Sequence, residues 1–254
     1  MEKNYLTEEY LFAVADAVLI DEATGIQLAT CSLKSHNVAQ TVDTTEIKAG
    51  QENDTLVTIK SNKNLTVELE DVRQSRQWLA MQMGSTIEAN EDVIAYAFPK
   101  NYTVDENLEI TLEHTPEPNQ VIRVYNRDTK EVLVSHATVD TTITLPEEKA
   151  NEGDIVVVES YKYKINAGKA EVLHIKSNKF AKSYRLILDE LVFDNDYEVV
   201  GRRQTIFYKV TADDAFTLAG STERSEQTNT YKFTVKKHPS YDDLGVIVYH
   251  NEAK

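Results

Sequence analysis

Few side chains in this sequence are spaced for chemistry. The six histidines, His36, His114, His136, His174, His238 and His250, share no metal-ligand spacing with one another or with the single cysteine, Cys31. Asp194-Asn195-Asp196-Tyr197-Glu198 begins like a calcium loop. Val199 then stands where such a loop turns on glycine, and no bidentate glutamate follows at the required distance. A turn before the Val199-Val200 run is the role that fits. Gly-rich phosphate loops, nucleophile elbows and zincin helices are missing from the sequence. The 42 acidic residues offer many carboxylate pairs, and only convergence in space would single one out. Cys31, between Thr30 and Ser32 with no cationic neighbour, reads as a small buried residue. The reading assigns no catalytic, metal-binding or cofactor-binding residue, and it points away from an enzyme.

The elements that carry these residues are mostly strands. Ile59-Lys60-Ser61-Asn62-Lys63 recurs as Ile175-Lys176-Ser177-Asn178-Lys179. Each copy precedes an apolar run closed by acids, Leu65 to Asp71 and Tyr184 to Glu190, so one β-hairpin plan used twice is the expectation. Leu11 to Ile20, a turn at Asp21-Glu22-Ala23-Thr24-Gly25, and Ile26 to Leu33 read as a hairpin. Residues 35–54 carry few apolar anchors and read as a long polar loop. In the hairpin that follows, Thr55, Val57 and Ile59 share a face, as do Leu65, Val67 and Leu69; Lys60, Glu68 and Glu70 point the other way.

One helix is expected over Val72 to Met83, with Asp71 as N-cap, Gln74 completing a capping box and Gly84 as the stop. Its apolar side, with Trp78, Leu79 and Met83, forms a core plug over a sheet. From Pro99 to Lys164 the texture changes to short strands at Leu108–Glu113, Val121–Asn126, Val132–His136, Thr141–Leu145 and Ile155–Tyr163, separated by turn chemistry. Such spacing predicts a small β-rich elaboration with Ig-like looks, 99–165, between two parts of one β domain, 1–98 and 166–254. The second part continues through Val172–Ile175, Tyr184–Phe193, Thr205–Val210, Thr230–Val235 and Val246–Tyr249, with a polar connection at 213–229.

Composition narrows the function classes. The 254 residues are 41% hydrophobic, enough for a sizeable core, and no apolar run is long enough to cross a bilayer. Met1 to Tyr10 lacks the basic-then-apolar layout of a secretory signal, and a single cysteine fits a reducing compartment. A net charge of -15 argues against gripping nucleic acid by its phosphates; it is compatible with a surface past which nucleic acid slides, but solubility alone accounts for it.

The stretch Glu46 to Asn53 followed by Thr55 to Asp71, then Trp78-Leu79-Ala80-Met81-Gln82-Met83-Gly84, resembles tailed-bacteriophage tail tube proteins. So do Ala170 to Ile175, Phe216 to Ser225 and Tyr231-Lys232-Phe233-Thr234-Val235. The resemblance covers most of both outer parts of the chain and is weakest over the middle. It implies a mainly β, sandwich- or barrel-like fold with one packed helix and two hairpins that line a lumen. It further implies hexameric rings, stacked into a hollow tube through which DNA leaves the capsid, with other tail proteins as partners. No membrane, cofactor or specific DNA contact is implied, and the protein would be made in the host cytoplasm and end in the virion tail. On that reading Lys60, Glu68, Glu70, Lys176 and Asp189 are the candidate lumen residues. The 35–54 segment, with Lys48, Gly50 and Glu52, is the candidate ring-stacking arm. Other virion roles (capsid decoration, tail terminator, adaptor ring), an adhesion protein with Ig-like modules, and a glycan-binding β-sandwich remain as alternatives.

Overall fold

The computed structural model of the chain describes residues 11, 13–49, 51–89, 91–137, 140–218 and 228–251. It opens with strands β1 (Asp16–Ile20), β2 (Gln27–Thr30), β3 (Leu33–Ala49) and β4 (Asp54–Asp71), followed by helix α1 (Arg76–Gln82). Ten short strands come next: β5 (Ile87–Glu88), β6 (Val93–Ala97), β7 (Lys100–Thr103), β8 (Glu109–Thr111), β9 (Val121–Asn126), β10 (Val132–Ala137), β11 (Thr142–Thr144), β12 (Ile155–Val158), β13 (Tyr161–Ile165) and β14 (Val172–Leu173). Four longer ones finish the fold: β15 (Ser183–Phe193), β16 (Val199–Ala212), β17 (Asn229–Val235) and β18 (Gly245–Asn251). The architecture is mainly β with one helix, and among the described residues no sheet closes into a barrel by strand pairing.

Two compact units divide the chain, Met1–Ile87 with Leu173–Lys254, and Glu88–Val172. The first is an eight-stranded antiparallel sheet in the order β2-β1-β15-β16-β17-β4-β3, with β18 joined to β16 off that path. Alternation fixes which face is buried. Tyr184, Leu186 and Leu188 of β15 meet Val67 and Leu69 of β4 and Phe233 of β17 in one core, over which Trp78 and Met81 of α1 pack. The sheet must curve strongly for this, and side chains join what strand pairing leaves open. Asp71, 2% exposed at the end of β4, accepts hydrogen bonds from Thr30 Oγ1 at 2.5 Å, Ser32 Oγ at 2.6 Å and Arg73 N at 2.8 Å. Glu190, 3% exposed, accepts from His36 Nε2 at 2.9 Å and from Arg203 Nε at 2.7 Å.

The second unit has its own core of Ile110, Leu112, Ile122, Val124, Ile143, Val156 and Val158. Strands β10-β9-β12-β7 form one sheet, while β11 pairs with β8 and β13 with β6. Gln120 ties off the edge of β13: its Oε1 accepts from Lys162 N at 2.8 Å and its Nε2 donates to Lys162 O.

Four expectations change. Residues 35–54 form no loop, for β3 and β4 pair from Leu33↔Asp71 to Ala49↔Asp54 as one long hairpin. Apolar anchors are few there because both faces of its outer half are exposed. Second, the repeated pentapeptide does not mark one plan used twice. Its first copy lies inside continuous β4, whereas the second forms a turn, with Lys179 N donating to Lys176 O, before β15. Val172–Leu173 pairs with Ile87–Glu88 and not with β15. Third, the helix is shorter than Val72 to Met83. Ser75 is its N-cap, its side chain accepting from Trp78 N, because Asp71 is held by the end of β2. Gly84, at φ +59°, does end it, and a Cβ there would strike the Phe180 carbonyl. Last, Cys31 is exposed, not buried, and the nearby Asp16 carboxylate raises its thiol pKa. Asp194–Glu198 is the turn between β15 and β16, where Asp194 Oδ1 accepts from Asp196 N and Glu198 N.

Candidate assembly surface

The sheet has a second face, opposite the helix. Register defines its members, because residues directly paired across strands share a face. Val67 and Leu69 are buried, so Thr66, Glu68 and Glu70 of β4 point to the second face with Ser35, Asn37 and Ala39 of β3 and Thr230, Lys232 and Thr234 of β17. Asp189 joins them, since Leu188 and Glu190 on either side of it are buried. Glu68 pairs with Lys232 at 3.5 Å, and Asp189 with Arg202 at 2.5 Å. Glu70 accepts from Ser35 Oγ at 2.8 Å. Asp16 sits directly across from Asp189, an unfavourable juxtaposition of like charge that Arg202 offsets. Nearer the β1–β15–β16 side the same face carries an apolar row, Val18, Ile187, Ile206 and Val246, each paired with the next.

Lys60 does not share this face. Thr41 pairs with Asn64 but Asp43 with Ser61, so Asn62 and Lys63 together stand opposite the single Val42. That β-bulge, with Asn62 at φ +49°, shifts the alternation of β4 by one residue. Beyond it Lys60 lies opposite Thr44 on the helix side, while Val57 and Ile59, opposite Ile47 and Thr45, turn to the face of Glu68. Lys176 is in the exposed turn before β15 and on no strand. Of the five candidate lumen residues Glu68 and Glu70 lie close together on this face; Asp189 points to the same face but stands at Gln204 of β16, nine residues (204 to 213) from Asp213, beside which Lys232 and Glu68 lie.

Beyond the bulge the hairpin is exposed throughout, with Ile47, Val57 and Ile59 each near half-exposed. Lys48, near the end of β3, pairs with Glu46 at 3.3 Å, and Glu46 accepts from Thr55 Oγ1. Asn62 Nδ2 donates to Asp43 at 3.0 Å across the bulge. Glu52 is in the terminal turn; Gly50 lies outside the described residues, as does 219–225 of the segment Phe216 to Ser225. In α1, Trp78 is 1% exposed, with its ring 4.8 Å from that of Tyr231 and 6.3 Å from Phe233; Met83 is buried and Leu79 half-buried. Burial, and then the Asp71 carboxylate, push the Tyr231 phenol up to about 12.

Sequence reasoning missed Lys232, Arg202 and Asp16, the cationic and acidic neighbours of the chosen carboxylates. Alternation along Thr230–Val235 would have placed Lys232 opposite the buried Tyr231 and Phe233. Among the described residues no group of three His, Cys, Asp or Glu side chains converges as a metal site, and no helix is long and apolar enough to cross a membrane.

The described residues thus present free strand edges, a two-signed polar face and a long exposed hairpin. The sequence matches the YomU/Tube protein family over residues 9–250, and the chain belongs to that family. It is 23% identical to the tail tube protein of Bacillus phage SPR over 186 residues, which are 73% of this chain and 68% of that relative. Membership makes it a structural component of the phage virion tail, a role that implies association with itself and with other tail proteins.

Proposed function

We propose that the chain assembles into stacked rings, six subunits to a ring, that form the tail tube and conduct DNA during genome ejection. The observation that carries this reading is the β3–β4 hairpin, strands of 17 and 18 residues whose outer half rests on nothing else among the described residues. Such a hairpin, apolar on one side and unpaired at its edges, is an aggregation hazard unless a partner covers it. It serves as the ring-stacking arm, with Lys48 and Glu52 near its end. The sheet face that carries Glu68 and Glu70, and further along it Asp189, lines the channel. Each of Glu68 and Asp189 is balanced by a cation, and the chain as a whole carries a net charge of -15, so phosphate is neither gripped nor held.

Negative-stain electron microscopy of concentrated protein tests the reading, with rings or hollow tubes as the expected result. In the channel, Glu68→Lys with Glu70→Lys leaves tube formation intact and makes the tubes retain DNA at low salt, released as salt is raised. Tubes of the double variant that bind no more DNA than the parent would remove these carboxylates from the channel wall.

A further inference from the structure

We infer that the cleft between β18 and the root of the β3–β4 hairpin is the acceptor site for the outer half of the same hairpin from a second copy of the chain. This rests on the reading of that hairpin as the stacking arm and names what it docks into.

The cleft arises because the sheet forks. On one edge of β16, residues Gly201 to Phe207 pair with β18, whereas Val210 to Ala212 pair with β17. Strand β17 continues to β4 but pairs only with Thr66 to Asp71, so the rest of β4 has no neighbour on that side among the described residues. Among the described residues strand β18 is likewise unpaired on its outer edge. Two free strand edges thus border a space of about 530 Å³ whose walls include Val38, Leu65, Phe207, Leu244 and Ile247. Unsatisfied backbone donors and acceptors on an edge select an extended strand as occupant, and apolar walls select apolar side chains on it. Among the described residues the longest exposed element with both properties is the hairpin beyond Asn62, with its Ile47, Val57 and Ile59 stripe.

The arrangement also explains why docking would be between copies. Beyond Thr41, β3 runs to Ala49, about 26 Å at ~3.3 Å per residue, directed away from the root that borders the cleft. The hairpin of one copy therefore reaches the cleft of another in a head-to-tail contact. Donor and acceptor are different surfaces, so a pair of chains still has one of each free and the contact propagates.

Two variants separate donor from acceptor. Val57→Lys with Ile59→Lys charges the stripe; Ile247→Lys charges the cleft at a side chain 55% exposed, where folding tolerates it. Light scattering is expected to find each variant alone as single chains with parental melting temperatures, and their equimolar mixture as two-chain complexes. If the Ile247→Lys protein alone still assembles as the parent does, the cleft is not the acceptor, while the hairpin reading stands. If the stripe variant alone assembles, both readings fall. A mixture that stays monomeric overturns the donor–acceptor pairing. A second measurement needs no charge in the cleft: Val57→Cys and Ile247→Cys chains, each also Cys31→Ser, are mixed under oxidised glutathione. A disulfide-linked mixed pair is expected in excess over either homodimer, and equal yields of all three would refute the contact.

Discussion

Tyr231 shows how much one position in this core does. Its ring lies against Trp78, it is 3% exposed, and its phenol is held neutral up to about 12. A phenol raised above its ordinary 10.0 stabilises the fold fully below pH 10, and that contribution is lost as pH rises towards 12, because the unfolded chain ionises first. The parent should therefore lose up to about 2 kcal/mol more than Tyr231→Phe between pH 10 and 12, measured by urea unfolding at fixed temperature. Equal alkaline losses in the two proteins would contradict the assignment. Trp78 was readable from its place on an apolar helical side, since a lone tryptophan in such a run is most economically a core residue. Asp71 was not. Its chemistry suits a helix cap equally well, and only the fold brings Thr30 and Ser32 to it from a strand distant in sequence.

Among elements, the β3–β4 hairpin shows where alternation is a sufficient signal and where it is not. In Leu65, Val67 and Leu69 one face is buried, so period two is written in hydrophobicity and the strand is legible. Beyond Asn62 both faces meet solvent, and the strand persists through cross-strand hydrogen bonds and β-favouring residues such as Thr41, Thr44, Thr45, Thr55 and Thr58. That threonine content was the available clue. The bulge itself is hidden in Ser61-Asn62-Lys63, which reads as a turn because asparagine accepts a positive φ, and it forms a bulge here because β3 continues opposite. Asn62→Gly should leave hairpin protection in hydrogen exchange unchanged, whereas Asn62→Val should cost about 1 kcal/mol of local protection. Inserting one threonine after Val42 gives Asn62 and Lys63 a partner each, removes the bulge, returns Lys60 to the face of Glu68 and turns Val57 and Ile59 away from it. That protein should keep a protected hairpin and lose assembly. Unimpaired assembly would mean that the side on which the stripe lies is immaterial.

At the scale of the whole molecule, the chain leaves one core to build another and then returns. Short strands around evenly spaced turns made the middle legible, and Val121–Asn126 forms as expected. The passages into and out of it were not legible, since β5 and β14 are two residues each and too brief to carry a period. The two sets of buried residues, one around Leu186 and Phe233 and the other around Val124 and Val156, have no member in common. Independent cores predict independent folding, provided the cut ends can be rejoined without strain. Ile87–Glu88 pairs with Val172–Leu173, so the ends to be joined are neighbouring strands, which lie about 5 Å apart and which a two-residue turn can connect. Replacing residues after Glu88 and before Val172 by Asn-Gly should therefore give a protein that melts in one cooperative transition. Because the hairpin, the cleft and the polar face all belong to the remaining unit, that protein should also form tubes, with the lumen unchanged. Calorimetry and electron microscopy read these outcomes separately. A shortened chain that folds but no longer assembles would assign part of the subunit contact to the middle unit, and one that does not fold would show that the two cores depend on each other.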